Sequence, residues 1–311
     1  MRVSMSPHPR LSIIIPHLNE PDMLARCLRS LNAQRSSGIP FEIIVVDNGS
    51  NEMPHSVCQV IPDVTLDREV VPGPGPARNR GAAIAKADLL AFIDADCVAA
   101  PGWVSAITSF LDSHPDVAFL GGDIGILPAD PARLTAIEAY ECIFSYRNRL
   151  YVEQHGFAAT GNMAVRADVF RAVGPFGGIS TMEDTEWGQR ATSQGYQVAF
   201  ADEAKVLTPS CKSFPELKRR WDRHISHEFR KVGRHPAGIL SWLLGTAMVA
   251  ASPPISAFAI FRSRRLVGFR SHCLACICLT RVRLYRAQRM LSLAFHDNTA
   301  AVVGSWNREK S

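Results

Sequence analysis

Ala87-Asp-Leu-Leu-Ala-Phe-Ile-Asp-Ala-Asp96 holds an apolar run, Leu89 to Ile93, that stops at two carboxylates separated by one alanine. Five consecutive apolar residues between polar neighbours read as a strand buried on both faces. Alternation along such a strand puts residues i and i+2 on one side, so Asp94 and Asp96 aim at one point past its C-terminal end. Ligands of open α/β sheets bind at that edge. Two carboxylates converging there suit a hard divalent cation, Mg²⁺ or Mn²⁺, which would in turn hold a diphosphate. The bland alternative for the same tripeptide is a pair of solvated loop aspartates.

Outward from this stretch the same pattern repeats. Leu11-Ser-Ile-Ile-Ile15 closes at Pro16, and Glu42-Ile-Ile-Val-Val46 closes at Asp47-Asn48-Gly49-Ser50. A weaker strand covers Val64 to Val71. Between the first two, Asn19-Glu20-Pro21-Asp22 opens a helix with Leu24, Cys27, Leu28 and Leu31 on one face. Pro72 to Pro76 is a rigid loop leading into a helix over Ala77 to Lys86. Strands alternating with helices predict an α/β fold with a doubly wound, mainly parallel sheet flanked by helices. Further on, the spacing predicts a helix from Pro101 to Leu111, a strand over Val117 to Leu120 and one long helix from Pro131 to Val152. A strand over Asn162 to Val165, a helix over Met182 to Ser193 and a basic helix over Pro215 to Lys231 follow.

The chain has 311 residues, is 47% hydrophobic and 20% charged, and carries a net charge of +5, so it can bury a large core and is not disordered. The basic excess is local. Between Lys212 and Arg234 eight Lys or Arg face three acids. No zinc-finger or RNA-binding pattern accompanies them, so the expected partner is anionic lipid or an acidic substrate, not nucleic acid. The eight cysteines form no disulfide or zinc framework and are expected as reduced thiols. From Pro236 to Phe261 there is no charged residue. That run is long enough to cross a bilayer once, but Pro253-Pro254 breaks it and basic residues flank both ends. The expected organisation is a tail over 1–10, a catalytic domain over 11–235 and a helical, membrane-associating region over 236–311. The expected location is the cytoplasmic face of the cell membrane, peripheral or single-pass.

The order of short motifs resembles glycosyltransferase family 2, a group of GT-A-fold sugar transferases. The residues carrying the resemblance are Ser12-Ile-Ile-Ile-Pro-His-Leu-Asn-Glu20, Glu42-Ile-Ile-Val-Val-Asp-Asn-Gly-Ser50, Ala77-Arg-Asn-Arg-Gly81, Asp94-Ala-Asp96, Gly161-Asn-Met-Ala-Val-Arg166 and Met182-Glu-Asp184. Each is weak alone; their order and spacing over two thirds of the chain are not. The resemblance implies a GT-A-like enzyme that moves a sugar, with inversion, from a nucleotide diphosphate to a hydroxyl acceptor. That acceptor would be lipid-linked or a cell-surface glycan.

By the same resemblance Pro16, Glu20, Asp47, Arg78 and Asp94 border the nucleotide, and Asp96 with Asp94 holds the metal. An acidic residue at a strand end can accept hydrogen bonds from a base or ribose, which suits Asp47; the alternative is a turn aspartate satisfying its own backbone. Arg78, at a helix start after a Gly/Pro loop, suits a diphosphate. Asp184 is implied as the general base, with Glu183, Asn162 and Trp221 as acceptor contacts or supports. Lys218-Arg-Arg-Trp221 matches the end of the Gln-x-x-Arg-Trp motif of processive synthases, but Leu217 stands at the Gln position, which argues against processive polymerisation. Arg220 would then meet the diphosphate. Relatives often carry a metal-binding His near Val206 to Pro209, where this chain has Thr208. Two rival readings are a nucleotidyltransferase on a similar sheet and a non-catalytic nucleotide-sugar-binding protein. The first lacks its Gly-rich phosphate loop after the first strand, and both acidic pairs weigh against the second.

Overall fold

The computed structural model describes residues 8–179, 181–232 and 235–295. The expected tail thus lies outside the described residues up to position 7, as do Arg234 and the chain after 295. The elements are β1 (Leu11–His17), α1 (Pro21–Ala33), β2 (Phe41–Asp47), α2 (His55–Gln59), β3 (Val64–Arg68), α3 (Pro74–Ile84), β4 (Leu89–Ile93), β5 (Val98–Ala99) and α4 (Trp103–Ser113). They continue with β6 (Val117–Leu127), α5 (Ala136–Phe144), α6 (Asn148–His155), β7 (Asn162–Arg166), α7 (Ala167–Val173), α8 (Glu183–Ser193) and β8 (Gln197–Pro209). The helices α9 (Phe214–Lys231), α10 (Pro236–Ala251), α11 (Pro253–Arg262) and α12 (Phe269–Phe295) complete the described chain.

All eight strands form one sheet in the order β3-β2-β1-β4-β7-β6-β8-β5. β1 pairs in parallel with both β2 and β4, and β3 in parallel with β2. β7 runs antiparallel to β4 and β6, so the sheet is mixed but mostly parallel. The continuous apolar runs have the expected cause. Ile13, Ile15, Ile43, Val45, Ala91 and Ile93 enter one core, and Ile14, Ile44, Val46, Leu90 and Phe92 enter the core on the opposite face.

The chain folds as two compact units, one comprising residues up to Gly125 with Tyr146–Thr208, the other Ile126–Ser145 with the chain from Pro209. The long helix expected from Pro131 to Val152 is instead two helices, α5 and α6. Thr135 and Glu138 close a capping box that starts α5. Ser145 is extended, Tyr146 has φ 48°, and the buried Asn148 amide donates to Gly122 O at 2.8 Å. The break is the point where the chain passes from the second unit to the first, and Asn148 fixes the start of α6 to the sheet. The strand expected over Val64 to Val71 stops at Arg68.

Within the second unit Ala139, Tyr140, Leu217, Ile260, Ala275 and Leu279 share one core, while Ile225, Phe229, Trp242, Met290 and Leu293 share another. Among the described residues no single helix is long and apolar enough to cross a membrane. The pair α10 and α11 reaches that length together, with a 51° bend between them.

Candidate active site

The site lies at the C-terminal edge of the parallel strands in the first unit. β4 ends at Ile93, and Asp94 to Cys97 form a turn closed by a Cys97 N–H bond to Asp94 O at 3.0 Å. The two aspartates therefore converge through a turn and not through the pleat of a strand. Asp94, Asp96 and Cys97 offer an oxygen, an oxygen and a sulfur within 4.8 Å of one another. Burial, with the charges of Asp96 and Asp94, pushes the Cys97 thiol well above its ordinary value. The two carboxylates are the hard oxygen donors of the group, the type an oxygen-seeking cation takes. β7 starts beside them. A Cβ on Gly161 would meet Asp94 Oδ2 at 3.0 Å, so glycine there leaves the carboxylate its room. The position where relatives often carry a metal-binding His holds Thr208, buried and hydrogen-bonded to Cys97.

α3 supplies the group that ties the two acidic pairs together. Arg78 is 3% exposed. Its Nη2 donates to Asp94 Oδ1 at 2.6 Å and its Nη1 to Glu183 Oε1 at 3.1 Å. Burial disfavours the guanidinium, but Asp94 and Glu183 outweigh it and hold its pKa above the ordinary value. The structure thus gives Arg78 two protein carboxylates as partners.

The rest of its motif builds the same corner. Asn79 exchanges two hydrogen bonds of 2.9 Å with the backbone of Phe176, fixing the segment that leads to α8. A Cβ on Gly81 would lie 2.5 Å from Ile14 Cγ2, so α3 packs directly on β1. A Cβ on Gly75 would lie 2.2 Å from Gly177 O, which brings the same leading segment against the start of α3. Asn79, Gly75 and Gly81 are not among the expected site residues. The signal for Gly75 and Gly81 was their small size at a helix start and on a helix face.

α8 carries Glu183, Asp184 and Glu186 in its first turn, where the helix dipole favours acids. Trp187, fully buried, anchors the helix by packing on Phe119, Phe170 and Phe176 and by donating to Gly174 O at 2.8 Å. Asp184 Oδ1 accepts from the Thr185 N–H at 2.7 Å and from the Thr185 hydroxyl at 3.3 Å. Burial, then the neighbouring Glu183 charge, pushes the Asp184 carboxyl up to about 6, against hydrogen bonds from Thr185 and the charge of Arg78. A carboxylate so tuned can accept a proton near neutral pH.

Asp47 ends β2 opposite His17, the last residue of β1. Both side chains are fully buried, and His17 Nδ1 lies 3.0 Å from Asp47 Oδ1. Asp47 Oδ2 accepts from the N–H groups of Gly49 and Ser50 at 3.3 and 3.1 Å. Burial raises this carboxyl, but bonds from Ser50 and His17 win and leave it below its ordinary value. Asp47 therefore shapes the turn from within. The partly exposed Pro16 lies near the end of β1 and the partly exposed Glu20 on the loop after it, whose Asn19 bonds Ser50 and Asn51 at 2.9 Å each.

Asn162, also fully buried, works as a strut. Its amide donates to Asp123 O at 2.8 Å and Ala204 O at 2.7 Å, and its oxygen accepts from Trp103 Nε1 at 2.9 Å. All three bonds lie inside the protein. Trp221 and Arg220 belong to the second unit. Arg220 pairs at 2.5 Å with the fully buried carboxylate of Glu141, and the Arg286 guanidinium lies 4.0 Å from the Trp221 ring centre.

Residues 12–174 match the family described as Glycosyl transferase family 2, and the chain belongs to that family. It is an enzyme, a glycosyltransferase with a nucleotide-sugar donor, on a GT-A-type sheet. Its relatives include the glycosyltransferase AglE of Haloferax volcanii, 29% identical over 218 residues, 68% of this chain and 70% of that protein. A validoxylamine A glucosyltransferase of Streptomyces hygroscopicus subsp. limoneus is 32% identical over 129 residues, 40% of this chain and 28% of that protein. Among solved structures, a mannosyltransferase from Pyrobaculum calidifontis in complex with GDP-Man and Mn²⁺ superposes with a TM-score of 0.59. It is 18% identical, and the match covers 94% of this chain and 88% of that one.

Proposed function

We propose that the protein transfers a sugar from a nucleotide diphosphate donor to a hydroxyl acceptor, with inversion at the anomeric carbon, assisted by a divalent cation. The observation that carries this reading is the Arg78 guanidinium joining Asp94 and Glu183. It makes one site of two acidic pairs that lie far apart in sequence. One pair suits a cation; the other presents a carboxylate with a raised pKa.

Asp94 and Asp96 would hold Mn²⁺ or Mg²⁺, which when bound neutralises charge on the departing diphosphate. The chain's own residues supply the rest. Asp184 takes the proton from the acceptor hydroxyl as its oxygen forms a bond to the anomeric carbon. The bond from that carbon to the diphosphate oxygen breaks, and the nucleoside diphosphate leaves with the electron pair. One displacement without a covalent intermediate inverts the configuration. Glu183, held by Arg78, keeps the first turn of α8 in place. An acceptor carried on a lipid or on a growing surface glycan fits a chain with a basic, apolar C-terminal region. The GDP-Man and Mn²⁺ of the fold neighbour guide the choice of ligands for testing.

The test is turnover of a panel of nucleotide sugars with Mn²⁺ or Mg²⁺, following release of nucleoside diphosphate. Release of nucleoside diphosphate that needs the cation and is lost in Asp184→Asn is the expected result. Cation-independent release, or full turnover by the variant, would overturn the mechanism.

A further inference from the structure

The second unit carries an apolar stripe that its own core leaves uncovered. On α10 the buried face is Trp242 and Thr246, and Trp242 Nε1 donates to Met290 O at 2.9 Å. On α11 the buried residue is Ile260. On the other side Leu240 and Leu244 are each 60% exposed, Met248 74%, Ile255 79% and Phe258 67%. These five recur at helical spacing on α10 and again on α11. A stripe of large exposed side chains in an uncharged segment marks an interaction surface.

Charge identifies what covers it. From Phe229 to His296 the sequence has no acidic residue and eleven Lys or Arg. Arg262, the last residue of α11, and Arg264, Arg265 and Arg270 just beyond it are all exposed. The Arg262 guanidinium lies 5.4 Å from the Phe258 ring centre, which puts a cation at the margin of the apolar stripe. Arg230 and Lys231, both exposed, close α9 on the other flank. A protein partner would need a surface both apolar and strongly acidic. An anionic bilayer offers both chemistries side by side: acyl chains for the stripe and headgroup charge for its basic borders.

We propose that α10 and α11 lie in the plane of an anionic membrane leaflet, with the exposed stripe among the acyl chains and both basic flanks at the headgroups. The 51° bend and the buried anchors Trp242 and Ile260 hold the pair in the unit as a surface element, not as a crossing segment. Since nucleotide sugars are made in the cytoplasm, the leaflet is the cytoplasmic one. The choice of leaflet rests on the nucleotide-sugar reading; the binding of an anionic surface does not.

Purified full-length protein is floated with vesicles of phosphatidylcholine alone and with vesicles containing about one third phosphatidylglycerol. It is expected to float with the anionic vesicles, to be released by raised salt, and to stay at the bottom with the neutral ones. The double variant Ile255→Glu/Phe258→Glu is expected to float about tenfold less or worse, since it removes the inserted apolar face. Its melting temperature should match wild type, because both side chains are exposed. No flotation with anionic vesicles, equal flotation with neutral ones, or undiminished flotation of the double variant would overturn the proposal. In membranes from expressing cells, an alkaline carbonate wash should release the protein; retention would indicate a crossing segment and overturn the in-plane arrangement.

Discussion

Arg78 Nη2 lies 2.6 Å from Asp94 Oδ1, sixteen residues away in sequence, and this contact joins the start of α3 to the turn after β4. The second arm of the same guanidinium reaches Glu183, 105 residues away. A planar fork suits this double task, since it holds two carboxylates at fixed directions, which the point charge of an ammonium does not set.

Removing that fork should misalign both acidic pairs. Arg78→Gln is expected to lower kcat/KM by roughly 10²-fold, the range seen when one positioned electrostatic group is lost. Arg78→Lys should recover only part of it, because an ammonium keeps the charge but lacks the planar fork that sets the two directions. Steady-state kinetics on the two variants checks this. A Gln variant with wild-type kcat/KM would show that the pairing is incidental.

The raised pKa of Asp184 makes a claim with a sign. Below about 6 the carboxyl holds its proton and cannot take one from an acceptor, so kcat/KM should rise as pH increases through about 6. The same shift bears on stability. A carboxyl whose folded pKa is raised stabilises the fold below the unfolded value of 3.8, and that contribution is lost as pH rises through about 6. Asp184→Asn should therefore be nearly inactive yet melt no lower than wild type at pH 8. A variant both inactive and clearly less stable at pH 8 would mean that the charge serves the fold.

Asn162 tests the opposite kind of role. Asn162→Leu would strand the carbonyls of Asp123 and Ala204 and the Trp103 indole N–H inside the protein. At about 1–3 kcal/mol for each unmet buried group, partly relieved by relaxation, a loss of roughly 3 kcal/mol is expected. Thermal melting should fall by roughly 5–10 °C. If Asn162 instead served the acceptor, the acceptor KM would rise with melting unchanged.

Much of this was legible in the chain because the central strands are buried on both faces. β1, β2 and β4 announce themselves as continuous apolar runs, and the acidic pairs stand beside recognisable local signals. β8 does not. Gln197-Val-Ala-Phe-Ala-Asp-Glu-Ala-Lys-Val-Leu-Thr-Pro209 carries Asp202, Glu203 and Lys205, all exposed, and its partners β5 and β6 come from earlier in the chain. α12 hides in the same way, since its exposed Arg281 and Leu284 mix charge and apolar character on the outside. The break at Tyr146 depends on Asn148 finding Gly122 O, a contact with no local signature. Asp47 is the subtler case. Its position at a strand end was legible, but its enclosure by His17 was visible only once β1 and β2 were in register.

The central claim is that Asp94 and Asp96 join a cation to a nucleoside diphosphate, and calorimetric titration tests it most directly. GDP and UDP are titrated into wild type and Asp96→Ala, each with and without Mn²⁺. At least one nucleotide is expected to bind wild type about tenfold tighter or more with Mn²⁺, a gain of ~1.4 kcal/mol, and the variant is expected to show no such gain. Equal affinity with and without the cation in wild type, or an undiminished gain in Asp96→Ala, would contradict the account.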